Sequence, residues 1–146
     1  MIAYFILAHR YPDQFKRMFR AVYAAGNQYL IHIDRSSGPE LQADLKAFLA
    51  PYQNVAILDP KPALWGGYSL VDAELRGMAK LLKMDSGWTH FINLSGQDFP
   101  LKSQEWIAKQ IKGAKLEVFE AEEGGSHFMF LENPEKFNKV VGEFLG

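Results

Sequence analysis

Two kinds of apolar run alternate along this chain. Ile2 to Ala8 is short and almost continuously apolar, and it stops at His9-Arg10-Tyr11-Pro12. A run of that shape marks a strand buried on both faces. Phe15, Met18, Phe19, Val22 and Tyr23 then recur at i, i+3, i+4, i+7 and i+8, the stripe of an amphipathic helix, with Gly26 as its stop. Gln28 to Asp34 reads as a second strand, broken by Ser36-Ser37-Gly38-Pro39. Leu41, Leu45, Phe48 and Leu49 make a second helical stripe that closes before Pro51. Val55 to Leu58 is a short third strand, after which Pro60 and Pro62 forbid regular structure up to Trp65-Gly66-Gly67.

The second half repeats the alternation. Ser69, with Asp72 three residues on, resembles a capping box, and the helix it opens runs to about Met84 with Val71, Leu75, Met78 and Leu82 on one face. Trp88 to Leu94 is the fourth strand. Ser103 caps a helix reaching Lys112, with Trp106, Ile107 and Ile111 facing inward and Gly113 ending it. Lys115 to Ala121 alternates polar and apolar residues, as a fifth strand with one wet face would. Asn133-Pro134 opens a last helix carrying Phe137, Val140, Val141, Phe144 and Leu145. Strands alternating with single helices imply parallel pairing and right-handed crossovers. The predicted architecture is α/β: a three-layer, Rossmann-like sandwich around a five-stranded parallel sheet of order 3-2-1-4-5. Residues 1–146 form one domain.

Composition narrows the partners. An apolar share of 48%, with 14% aromatic, fills one core, and a formal charge of −1 without a basic stripe argues against nucleic acid. The chain has no cysteine, which excludes disulfides, thiolate chemistry and cysteine-ligated metals. No apolar run is long enough to span a bilayer. Met1 to Ala8 lacks a basic leader and reads as a strand, not as a signal peptide. Together these features favour a cytoplasmic location.

Polar chemistry gathers at the carboxyl ends of the strands, where open α/β sheets bind ligands. The fourth strand ends in Ser95-Gly96-Gln97-Asp98: a hydroxyl, a bare backbone, an amide and a carboxylate. The predicted order puts a switch point between the first and fourth strands, flanked by His9 and the Ser95 to Asp98 loop, with Asp34 beside it. His32 and Asp34 share a strand face, but two residues of ligand type do not make a metal site, and none is expected.

Four segments, in order, resemble the Core-2/I-branching glycosyltransferases, a family of β-1,6-N-acetylglucosaminyltransferases and peptide-O-xylosyltransferases. They are Ala3-Tyr4-Phe5-Ile6-Leu7-Ala8-His9-Arg10, Tyr29-Leu30-Ile31-His32-Ile33-Asp34-Arg35, Leu64-Trp65-Gly66-Gly67-Tyr68-Ser69-Leu70-Val71, and Phe91 to Lys102. The resemblance covers about residues 1–112. It implies transfer from a UDP-sugar to a glycan acceptor with inversion, the UDP-sugar being a donor substrate, with no metal or other cofactor. It points to Ala8, His9, Asp34 and Arg35 at the nucleotide, with Asp34 accepting from uracil or a ribose hydroxyl. Trp65, Gly66, Gly67 and Ser95 would line the donor site, and Asp98 would face the sugar and diphosphate. The family's catalytic base and the basic residues at its leaving group have no identifiable counterpart here, so transfer is expected to be impaired.

Residues 113–146 resemble instead the end of an α/β-hydrolase, with His127 in the place of that fold's catalytic histidine. No Gly-x-Ser-x-Gly elbow accompanies it. The two resemblances imply a chain recombined or engineered near Lys112-Gly113. Two alternatives follow: a fold without specific activity, and a weak esterase using Ser95 and His127, with Asp98 nearby. Should the fifth strand fail to dock, the fourth would present a bare edge suited to homodimer formation.

Overall fold

The computed structural model describes residues 1–59, 61, 68–111, 135, 136, 138 and 139. The chain divides into two units, Met1–Lys112 and Gly113–Gly146, and the fold below is that of the first.

The fold is built on β1 (Ile2–Ala8), whose two faces serve two different helical layers. Alternate residues of a strand point to opposite sides. Ile2, Tyr4, Ile6 and Ala8 meet Phe15, Met18, Phe19 and Val22 of α1 (Pro12–Val22) and Leu45 and Leu49 of α2 (Pro39–Leu49). Ala3 and Phe5 face the other way, toward Ala73 and Leu81 of α3 (Tyr68–Met84). β2 (Gln28–Ile33) and β3 (Val55–Leu58) extend the sheet on one side of β1 and β4 (His90–Ser95) on the other. All pairs are parallel, and the order is β3-β2-β1-β4. α4 (Gln104–Ile111) returns Ile107, Ala108 and Ile111 to the α1–α2 side.

The sheet therefore has four strands among the described residues, not five. Their order is the predicted one as far as it goes, and the predicted fifth strand, Lys115 to Ala121, lies outside the described residues. Of the predicted last helix, the positions described (135, 136, 138 and 139) are helical.

The α1–α2 layer is held by aromatic packing. The ring of Phe19 lies 5.0 Å from that of Tyr52, 5.4 Å from Tyr29 and 5.8 Å from Phe48. Tyr4 and Tyr29 stack at 5.2 Å across the β1–β2 pair. The Tyr29 hydroxyl donates to the Val22 carbonyl at 2.7 Å and accepts from the Ala24 amide at 2.8 Å, which fixes the turn between α1 and β2. Burial pushes its pKa up to about 12, against the opposing effect of its hydrogen bonds with the Ala24 backbone and the Asn27 side chain.

Several predicted details are corrected. On α3 the inward face is Ala73, Gly77 and Leu81, while Val71, Leu75 and Leu82 are about half exposed. The sheet beneath presents Phe5, Leu30 and Phe91, so the helix must approach with small residues. A Cβ on Gly77 would lie 2.8 Å from two ring carbons of Phe5. Ser69 sits inside α3 and does not precede it, and Asp72 accepts from Arg76 Nε at 2.8 Å, one helical turn on. β4 begins at His90, two residues later than expected, and is half-buried except at the exposed Asn93. Ser103 does cap α4, its hydroxyl accepting from the Trp106 amide at 3.3 Å. Trp106 itself faces outward, with the Lys102 ammonium 5.6 Å from its ring.

Candidate functional site

A cavity of about 220 Å³ opens at the carboxyl ends of β1 and β2, lined by Leu7, Ala8, His9, Arg10, His32, Asp34 and Leu70. The strand register explains this grouping. Leu7 pairs with His32 and Ala8 with Ile33, and the Asp34 amide donates to the Ala8 carbonyl at 2.8 Å. Odd-numbered residues of β1 and even-numbered residues of β2 share the α3 side of the sheet, so Leu7, His9, His32 and Asp34 come together beneath Leu70.

β2 stops at Ile33, one residue earlier than the sequence pattern implies. Asp34 is instead the N-cap of a single 3₁₀ turn, Arg35–Ser37, and its Oδ1 accepts from the Ser36 amide at 2.8 Å. Gly38, at φ 85°, then turns the chain into Pro39 and α2, a backbone setting that glycine enters without strain. On the other side, Tyr11 holds φ 54° while its carbonyl accepts from the Gln14 and Phe15 amides, starting α1 directly after the cavity. A bulky residue in that region is uncommon.

His9 links the cavity to the β4 loop. Its Nε2 accepts from Arg10 Nε at 2.8 Å and lies 3.2 Å from Gln97 Nε2. Gln14 Nε2 donates to the Gln97 carbonyl at 2.9 Å. The Gly96 amide donates to the Leu7 carbonyl at 2.7 Å, and a Cβ there would press on Phe15 and the Leu7 carbonyl at 3.1 and 3.3 Å. The loop is braced from within: the Ser95 amide donates to Asp98 Oδ2 at 2.7 Å, and the Asp98 amide to the Ser95 carbonyl at 3.0 Å. The Asp98 carboxylate thus serves its own turn.

His32 is the most buried polar side chain of the site, 1% exposed. Burial lowers its pKa, and the nearby Arg76 charge lowers it further, while Asp34 and a hydrogen bond to the Lys61 backbone act in the opposite sense. The ring is therefore neutral at pH 7. Arg76 is held in place by Asp72 and reaches the Asp59 carbonyl at 3.4 Å.

Of the residues expected to form a donor site, Ala8, His9 and Asp34 are brought together. Arg35 is exposed in the 3₁₀ turn and is not among the lining residues; Ser95 and Asp98 belong to the neighbouring loop. Trp65, Gly66, Gly67 and His127 lie outside the described residues. The cavity opens over β1 and β2 on the α3 side, not between β1 and β4 where the switch point falls. Arg10, His32 and Leu70 were not singled out as donor-site residues. The parity of β1 and β2 could have flagged His32, a histidine inside an otherwise apolar strand. Nothing local marked Leu70. Among the described residues, no group of three or more histidine, aspartate or glutamate side chains is placed to hold a metal ion. No helix among them is long and apolar enough to cross a membrane.

Comparison with known proteins places these features in context. A family profile described as Core-2/I-Branching enzyme matches residues 2–132. The human N-acetyllactosaminide beta-1,6-N-acetylglucosaminyl-transferase is 32% identical over 115 residues, 78% of this chain and 29% of the relative. The human beta-1,3-galactosyl-O-glycosyl-glycoprotein beta-1,6-N-acetylglucosaminyltransferase 3 is 34% identical over 112 residues, 76% of this chain and 26% of the relative. A beta-1,3-galactosyl-O-glycosyl-glycoprotein beta-1,6-N-acetylglucosaminyltransferase of Bovine herpesvirus 4 is 32% identical over 115 residues, 78% of this chain and 26% of the relative. The chain thus spans under a third of the length of these curated relatives. The family match runs through most of the segment that resembles a hydrolase end, so it lends no support to a change of family near Gly113.

Proposed function

The chain belongs to the Core-2/I-branching enzyme family, and from that premise we propose that its first unit binds the nucleotide of a UDP-sugar for glycosyl transfer to a glycan acceptor. The observation that carries this reading is the cavity at the ends of β1 and β2, where Ala8, His9 and Asp34 converge within a segment the family profile matches. A ligand there would meet the Asp34 carboxylate as an acceptor for ribose or uracil donors and Arg10 as a positive charge for the diphosphate. The relatives' names make N-acetylglucosamine the first donor sugar to test.

The reading extends to binding, not to efficient turnover. Inversion needs a carboxylate on the acceptor hydroxyl. Near the cavity, Asp98 braces its own loop, Asp72 pairs with Arg76 and Asp34 caps a turn. We infer that transfer by the described residues alone is impaired. Calorimetric titration with UDP and UDP-N-acetylglucosamine tests the proposal. Saturable binding that weakens at least tenfold in Asp34→Ala supports it, and equal affinity in that variant refutes the role of Asp34 and of the cavity.

A further inference from the structure

His32 lies where a packing residue would serve the core better. It sits within β2, lines the cavity and is 1% exposed. Its Nε2 is buried without a hydrogen-bond partner among the described residues. Leaving such an atom unpaired is costly, and each such atom in a native fold calls for an explanation.

The surroundings define what that nitrogen offers. The ring hydrogen-bonds the Lys61 backbone, and since Nε2 has no partner, the bond falls to Nδ1. A backbone carbonyl accepts, so Nδ1 carries the hydrogen and Nε2 of the neutral ring presents a lone pair. His32 thus brings to the cavity lining a buried acceptor that has no partner. The cavity's volume of about 220 Å³ lies below the roughly 300–1,000 Å³ of sites that enclose drug-sized ligands.

We propose that His32 is a ligand-reading residue of this site, with Nε2 accepting a hydrogen bond from an N–H or O–H of the bound nucleoside. The donor is the imide N–H of uracil or a ribose hydroxyl; the acceptor chemistry is the same. This inference rests on the nucleotide reading above. It carries a specificity consequence in the first case: cytosine presents a lone pair at the equivalent ring nitrogen, so two acceptors would face each other with no hydrogen between them.

The test uses the full chain with ¹⁵N-labelled histidine rings, titrated with UDP, N3-methyl-UDP, 2′-deoxy-UDP and CDP. Affinities are measured in parallel on the wild type, His32→Phe and His32→Gln. The expected result is a UDP-induced shift of the His32 Nε2 resonance and an affinity loss of about tenfold in His32→Phe, partly restored in His32→Gln. Selective loss of the shift with N3-methyl-UDP and CDP assigns the donor to uracil; loss with 2′-deoxy-UDP assigns it to ribose. In His32→Phe the modified nucleotide should bind as well as UDP does. If that variant fails to fold, the resonance arm on the wild type still decides. UDP binding that leaves the His32 nitrogen unmoved, with all four ligands treated alike, overturns the inference and spares the nucleotide reading. No binding of any uridine nucleotide to the wild type overturns both.

Discussion

Replacing Gly77 by alanine sets two known effects against each other. Alanine is the better helix former by about 1 kcal/mol, which favours the variant in a 17-residue helix. The new Cβ, however, would stand 2.8 Å from Cδ2 and Cε2 of Phe5 and 3.1 Å from its Cγ. Carbon pairs settle at about 3.5–4.0 Å, so the ring or the helix must give by about 0.7 Å or more. Phe5 has little freedom to retreat: it is fully buried on the central strand, with the Phe91 ring 6.4 Å away. Overpacking of this kind costs roughly 1–3 kcal/mol. The clash outweighs the propensity gain, and Gly77→Ala should destabilise the protein by about 1 kcal/mol. Urea unfolding followed by circular dichroism should show a midpoint lower by about 0.5 M, with unchanged slope. In a Phe5→Leu background the same change should become neutral or stabilising, a coupling of at least about 0.5 kcal/mol. A raised midpoint in the wild type, repeated unchanged with leucine at position 5, would refute the close approach of α3 to β1.

Other consequences are as direct. Tyr29→Phe removes the hydroxyl that joins the Val22 carbonyl to the Ala24 amide, and should cost about 1–2 kcal/mol in thermal unfolding. The folded-state pKa of Tyr29 is raised above its ordinary value of 10.0, so its contribution is complete below pH 10 and is lost as pH rises through about 12; Tyr29→Phe should unfold less steeply over that window. His32 has the opposite sign. Its folded-state pKa is depressed, so stability holds above about pH 6.5 and falls as the unfolded state takes up the proton in acid; His32→Gln should flatten the melting temperature between pH 7 and 5. Gly96→Val should loosen the junction of the β4 loop with Leu7 and Phe15, lowering the melting temperature and weakening any nucleotide binding together.

What could be read in advance followed the size of the signal. The unbroken run Ile2–Ala8 and the stripe Phe15, Met18, Phe19 and Val22 declare a central strand and its covering helix, because burial on two faces leaves no polar position. The order of β3, β2, β1 and β4 is that of the economical sandwich for strands alternating with single helices. The orientation of α3 did not, because its buried face is made of Ala73 and Gly77. Small residues carry almost no hydropathy, and the larger Val71 and Leu75 drew the expected stripe to the wrong side. At the site, strand-end position singled out His9 and Asp34, and the family resemblance added Ala8. His32 was visible only as a possible metal-ligand type. Its part in the cavity depends on which face of β2 lies under α3, and that is a tertiary fact.

The central claim is that the cavity at the ends of β1 and β2 is a uridine nucleotide site. Thermal unfolding of the chain with UDP, UDP-N-acetylglucosamine and UDP-xylose, against GDP and ADP, tests it most directly. A ligand at a hundred times its dissociation constant adds about 2.7 kcal/mol, and each kcal/mol is worth about 2–4 °C for a chain near 150 residues. The account predicts a uridine-selective rise of several degrees that is lost in Asp34→Ala. A cooperative transition that no nucleotide moves, or one that GDP and ADP move equally, would contradict it.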